Sequence, residues 1–83
     1  MQTKGQYRVG STFNPSASGT VDQIKAKAAE LIDMIEDIGV PPASSDGEQQ
    51  RSAEICRLKA LAQTEIESAA MWAVKAATKP EKG

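Results

Sequence analysis

The sequence predicts an all-α protein: an N-terminal arm followed by an antiparallel helical hairpin, with a short first helix and a long second helix, assembling into a homo-oligomer. Three observations carry that expectation. Apolar residues recur in alternating steps of three and four along two segments, the period of one helix face. Glycine and proline cluster outside those segments, apart from Gly47 in the first turn of the second. The apolar residues that remain are too few and too small for a lone core, which asks for self-association. The chain divides into an arm over 1–19, a hairpin over 20–79 and a C-terminal tail over 80–83.

The arm is rich in Gly, Ser, Thr, Asn and Pro, with a turn at Asn14-Pro15 and Gly19 closing it. It is expected to order on contact. Thr20 precedes Gln23 by three residues, the spacing at which a hydroxyl and an amide satisfy each other's exposed helix-start donors. The first long helix is therefore placed at 21–38, with Val21, Ile24, Ala28, Leu31, Ile35 and Ile38 on the stripe that faces a partner helix. Gly39 can take the left-handed conformation that ends a helix, and Pro41-Pro42 cannot continue one. Ser45 and Glu48 repeat the capping spacing. The second helix follows over 46–78, with its stripe at Ile55, Leu58, Ala62, Ile66, Ala69, Ala73 and Ala76, and ends before Pro80.

At 1.5 Å per residue the two helices measure about 27 and about 47 Å, so a hairpin leaves much of the second without an intrachain neighbour. Its alanine stripe permits close approach of helix axes, while Leu61, Met71, Trp72 and Val74 fall off that stripe. Met71 and Trp72 are read as packing residues. A hairpin that packs on more than one side is one built to assemble. With 83 residues, only Tyr7, Phe13 and Trp72 as aromatics, and one cysteine, the chain has no disulfide to compensate a thin core.

Composition also excludes chemistry. There is no histidine, so no imidazole base and no histidine-bearing metal site. Cys56 reads as a small buried thiol. The carboxylate pairs Asp33 with Glu36 or Asp37, and Glu65 with Glu67, read as solvated helix faces. Gly5, Gly10 and Gly19 are too scattered for a phosphate-cradling loop. An enzyme is not expected, and no cofactor, metal or catalytic residue is assigned. A net charge of −1 argues against binding DNA or RNA polymers, and no apolar run of about 18 residues suits a membrane. A soluble, intracellular protein is expected.

The charge is unevenly placed. Residues 1–29 carry Lys4, Arg8, Lys25 and Lys27 against the single acid Asp22. Lys25 lies in the first turns of a helix, where unpaired N–H groups and the helix dipole favour anions. Arg8 would add a guanidinium fork and Tyr7 a flat ring for a base to stack on. The plainer alternative is a loose terminus with ordinary surface lysines.

Four stretches weigh on that choice: Phe13-Asn14-Pro15-Ser16, Val21-Asp22-Gln23-Ile24-Lys25, Ala29-Glu30-Leu31-Ile32-Asp33, and Thr64-Glu65-Ile66-Glu67-Ser68-Ala69-Ala70-Met71-Trp72-Ala73-Val74-Lys75-Ala76. Together they resemble the bacteriophage anti-CBASS cyclic-nucleotide sponge family, whose helical hairpin is shared with Thoeris anti-defence sponges. The resemblance implies a phage immune-evasion protein in the host bacterial cytoplasm. It would sequester cyclic oligonucleotide messengers without cleaving them, so that the CBASS effector stays off. It further implies a homohexamer whose subunit interfaces hold cyclic dinucleotides through a tyrosine and an early-helix lysine, matching Tyr7 and Lys25. Cyclic trinucleotides would bind elsewhere through an arginine and a threonine seven residues apart on the last helix, matching Arg57 and Thr64. The stacking residue could be Tyr7 or Phe13, and Arg8 could share that site. The rival reading is a helical-hairpin module that binds another protein and has no small-molecule ligand.

Overall fold

A computed structural model of the chain describes residues 2–10 and 19–80. Phe13 and the Asn14-Pro15 turn lie outside the described residues, as do positions 81–83 of the tail. The described residues form three helices and no strand: α1 (Lys4–Val9), α2 (Gly19–Glu36) and α3 (Asp46–Ala77).

Within the expected arm, Lys4–Val9 form a short helix that the sequence pattern did not place. A six-residue helix cannot stand alone in water, because nucleation fixes several residues for each hydrogen bond gained. Here α1 has local caps and a docking surface. Thr3 accepts from the Gln6 amide at 3.1 Å while the Gln6 side chain accepts from the Thr3 amide at 3.0 Å, a reciprocal capping box. Gly10 closes the other end at φ 63°, the left-handed conformation that glycine adopts without a side-chain clash. Between them Gly5 lies against α2 so closely that a Cβ would fall 2.1 Å from the Ala29 carbonyl oxygen. Only a glycine permits that approach.

The second and third helices run antiparallel. The Gln63 amide donates to the Ile32 carbonyl at 3.1 Å, and Lys59 reaches the carbonyls of Glu36 at 3.0 Å and Ile38 at 2.6 Å. The latter pair ends α2, because a cation on those orphan carbonyls does the work of a C-cap. Gly39 therefore does not take the left-handed role assigned to it; Gly10 is the one described glycine with positive φ. At its other end α2 starts at Gly19, two residues before Val21, so Thr20 lies inside the first turn rather than capping it. Ser45 does cap α3, accepting from the Glu48 amide at 3.2 Å. The Glu48 carboxylate turns back to Ser44, accepting from its amide at 2.9 Å and its hydroxyl at 2.7 Å. Thr78 closes α3, both its amide and its hydroxyl donating to the Val74 carbonyl.

The overhang falls at the start of α3. Residues before Lys59 extend past the end of α2, and the 37–45 loop runs outward beside them, with Ser52 donating to the Pro41 carbonyl at 2.8 Å. The described chain is accordingly long and flat, 61 × 28 × 12 Å.

The core is thin and differs from the expected stripes. On α2 the buried residues are Val21, Lys25, Ala28, Ala29 and Ile32, while Leu31 and Met34, and Ile38 just past the helix end, are exposed. The buried stripe is turned because α2 is covered on two sides, by α3 and by α1, and α1 claims the side that holds Lys25 and Ala29. On α3 only Gln63 and Ala70 are buried, and Leu58, Leu61, Met71 and Trp72 are exposed. Met71 and Trp72 are more than half exposed in the single chain, and the Lys75 ammonium lies 5.4 Å from the Trp72 ring centroid. Cys56 is likewise exposed, not a buried thiol, since it falls on the outer side of the α3 overhang.

Candidate functional site

A groove opens where the end of α1, the start of α2 and the last turns of α3 meet. It has a volume of about 700 Å³, within the range of small-ligand sites. Tyr7 and Arg8 come from α1 and Lys25 from α2. Glu67, Met71, Val74 and Lys75 come from one face of α3, spaced by three and four residues.

Tyr7 stands at the rim with 76 % of its surface exposed. Its place depends on α1 being held, since an exposed side chain does not anchor a helix. Lys25 helps hold it. That side chain is only 4 % exposed, and its ammonium donates to the Gly10 carbonyl at 2.9 Å. A lysine can be buried this way because its apolar stem packs while its head stays hydrogen-bonded.

Arg8 crosses to α3. Its Nη2 meets Oε2 of Glu67 at 2.6 Å, its Nε meets the same oxygen at 3.2 Å, and Nη2 also donates to the Thr64 hydroxyl at 3.3 Å. Charged donors and acceptors make the stronger class of hydrogen bond, and this one ties α1 to α3. Among the described residues, three cationic side chains, Arg8, Lys25 and Lys75, thus line the groove against the single carboxylate of Glu67. The formal balance is two positive charges.

At the far end of α1, the Lys4 ammonium donates to Glu36 at 2.8 Å and to the Gln63 side chain at 3.1 Å. The Lys4 hydrogen bond, followed by that from Gln63, holds the Glu36 carboxyl below its ordinary value. Gln63 is 2 % exposed and has every buried polar atom partnered. This network anchors α1 from the side opposite the groove.

The residues named from sequence are thus partly regrouped. Tyr7, Arg8 and Lys25 line one groove, as their clustering suggested. Arg57 lies apart on α3, where Glu54 holds it in an ion pair that raises the guanidinium's affinity for its proton and holds the Glu54 carboxyl below its ordinary value. Thr64 meets Arg8 rather than Arg57. Glu67 and Lys75 were not singled out from sequence as site residues. They lie four residues to either side of Met71, so helical spacing from the Thr64–Ala76 stretch could have pointed to both. Among the described residues no group of His, Cys, Asp and Glu is arranged to hold a metal, and no helix is long and apolar enough to cross a membrane.

The fold and groove define a helical-hairpin protein with a cationic cleft rimmed by an aromatic residue. A family model described as the Acb2/Tad1 hairpin domain matches residues 4–78, and the chain belongs to that family, the anti-CBASS and anti-Thoeris sponges. The family is a ligand-sequestering one, in keeping with the non-enzymatic reading. The match begins at the first residue of α1, so the short helix is part of the family's hairpin domain rather than an appendage. No curated protein and no solved structure matches the chain.

Proposed function

We propose that the protein is a phage sponge that binds cyclic oligonucleotide messengers in the α1–α2–α3 groove, does not degrade them, and so keeps CBASS effectors inactive in the host bacterial cytoplasm. The observation that carries this reading is the charge of the groove. Two net positive charges beside an exposed tyrosine ring complement a cyclic dinucleotide such as cyclic GMP-AMP, which has two phosphates and two bases to stack. Lys25 and Arg8 meet the phosphates, and Tyr7 stacks on a base. Sequestration needs only tight equilibrium binding and an excess of protein, so the lack of a general base costs nothing.

The groove is open on one side, and the exposed apolar residues of α2 and α3 are available to a second copy of the chain. Assembly, as a homohexamer in keeping with the family, would place a neighbouring subunit against the groove and exclude water from it. Cyclic trinucleotides would be held by Arg57 and Thr64, with Arg57 released from Glu54 and Thr64 from Arg8 to meet the ligand. The exposed Leu58, Leu61 and Trp72 also suit the rival reading, a hairpin that binds an unrelated protein.

The test is a purified CBASS effector activated by cyclic GMP-AMP. Excess sponge should silence it, and boiling and clearing the mixture should restore activation, because the messenger is released whole. An effector that stays active, or one that stays silent after boiling, would contradict the proposal.

A further inference from the structure

Glu67 is the single carboxylate among the described groove-lining residues, and it is the group that the Arg8 guanidinium holds there. Both Nε and Nη2 of Arg8 converge on one of its oxygens, at 3.2 and 2.6 Å. That is how a guanidinium edge grips an oxygen of any oxyanion, carboxylate or phosphate. The two partners differ in exposure. The Arg8 side chain is 21 % exposed and is further held by the Thr64 hydroxyl, whereas Glu67 is 41 % exposed. If one of them leaves, it is the carboxylate, which can rotate into solvent from a helix that keeps its place.

We infer that Glu67 is an internal stand-in for the ligand's phosphate, a selectivity residue that keeps Arg8 in its binding geometry and that a ligand must displace to take its place. The inference rests on the sponge reading, because it concerns what competes for that groove. A neutral ligand, or one presenting a single weak acceptor, leaves Glu67 seated. A ligand with two phosphates gains Arg8 and relieves the groove of its balancing charge. Thr64 acts as a positioning residue, steadying the guanidinium while its partner is exchanged.

A tie that merely fastens α1 to α3 makes the opposite prediction. Removing such a tie loosens α1 and weakens binding. Removing a competitor strengthens it. In Glu67→Gln the side-chain carbonyl can still accept from Arg8, so α1 stays docked, while the groove's formal charge rises from two to three. Surface ion pairs contribute modestly, so the expected gain is about fivefold in affinity. It should shrink as salt is raised, since the added term is Coulombic.

The experiment is calorimetric titration of cyclic GMP-AMP into the full chain, Glu67→Gln, Arg8→Gln and the double variant, at low and at physiological salt, with thermal unfolding of each. The inference expects tighter binding by Glu67→Gln, a gain that falls with salt, and no gain from Glu67→Gln in the Arg8→Gln background. If the parent chain binds and Glu67→Gln binds equally or more weakly, or unfolds at clearly lower temperature, Glu67 is a structural tie and the inference is overturned while the sponge reading stands. If neither the parent nor Glu67→Gln binds cyclic GMP-AMP, the sponge reading fails and takes the inference with it.

Discussion

Asp33 and Lys25, eight residues apart on α2, hold opposite ends of α1. Asp33 accepts from the Gly5 amide at 2.8 Å, near the start of the short helix, and Lys25 donates to the Gly10 carbonyl at 2.9 Å, just past its end. The signs match the helix dipole, with the carboxylate at the positive end and the ammonium at the negative end. Two turns of α2 thus form a charged cradle for a helix too short to persist unaided. Tyr7 and Arg8 are carried on that cradle, so the groove exists because α1 is docked.

Gly5→Ala should undo the docking. The added methyl meets the Ala29 backbone, which cannot yield as a flexible side chain would. Overpacking of this kind costs about 1–3 kcal/mol. Urea unfolding should show the loss, with amide exchange rising in α1 before α3. Unchanged stability would show that α1 does not need this approach to Ala29.

Tyr7→Ala isolates the ring from the fold. The side chain is exposed, so thermal stability should stay within error of the parent. Base–aromatic stacking contributes about 1–3 kcal/mol, so affinity for cyclic GMP-AMP should fall about five- to 150-fold. Titration calorimetry reads both the affinity and the stoichiometry. Full affinity in this variant would leave Phe13 as the stacking residue.

Acid should loosen the same helix from its other end. The Glu36 carboxyl is held below its ordinary value of 4.5 by Lys4 and Gln63, so the folded chain binds protons less readily there than the unfolded chain. The stabilisation is complete above that ordinary value and is lost as pH falls through the lowered native one. Stability measured by urea between neutral and acid pH should fall less steeply for Glu36→Gln. Glu48 and Glu54 shift in the same direction, so the variant flattens the profile without abolishing it. An identical slope would remove Glu36 from the docking network.

Leu61→Glu tests assembly. Leu61 is 46 % exposed on a face of α3 shared with Leu58, and a charge there costs a single chain little but is unfavourable in a dry interface. Sedimentation should show an oligomer for the parent and smaller species for the variant, with equal helix content by circular dichroism. A monomeric parent at all concentrations would contradict assembly.

The hairpin was legible in the sequence because it is written in local signals. Periodicity located both long helices to within two residues at every end, and the Ser45 cap stands where its spacing put it. The resemblance read from the Thr64–Ala76 stretch agrees with the family match. α1 escaped notice although Thr3 and Gln6 have capping-box spacing and Gly10 could close the turn. A glycine inside six residues argues against a helix until one knows that Gly5 is there for contact with Ala29. The direction of the core was hidden for a related reason. Periodicity finds one apolar stripe, but α2 buries two sides, and the second is filled by Lys25 and Ala29 rather than by large apolar residues. Helical spacing puts Glu67 on the same face as Met71, but its pairing with Arg8, 59 residues away on another helix, appears only in the fold.

Native mass spectrometry of the purified chain with cyclic GMP-AMP, followed by denaturation and chromatography of the released nucleotide, tests the central claim of sequestration most directly. The account predicts an oligomer carrying the messenger at intact mass, and recovery of the cyclic form alone. A chain that carries no nucleotide, or that releases linear products, would contradict it.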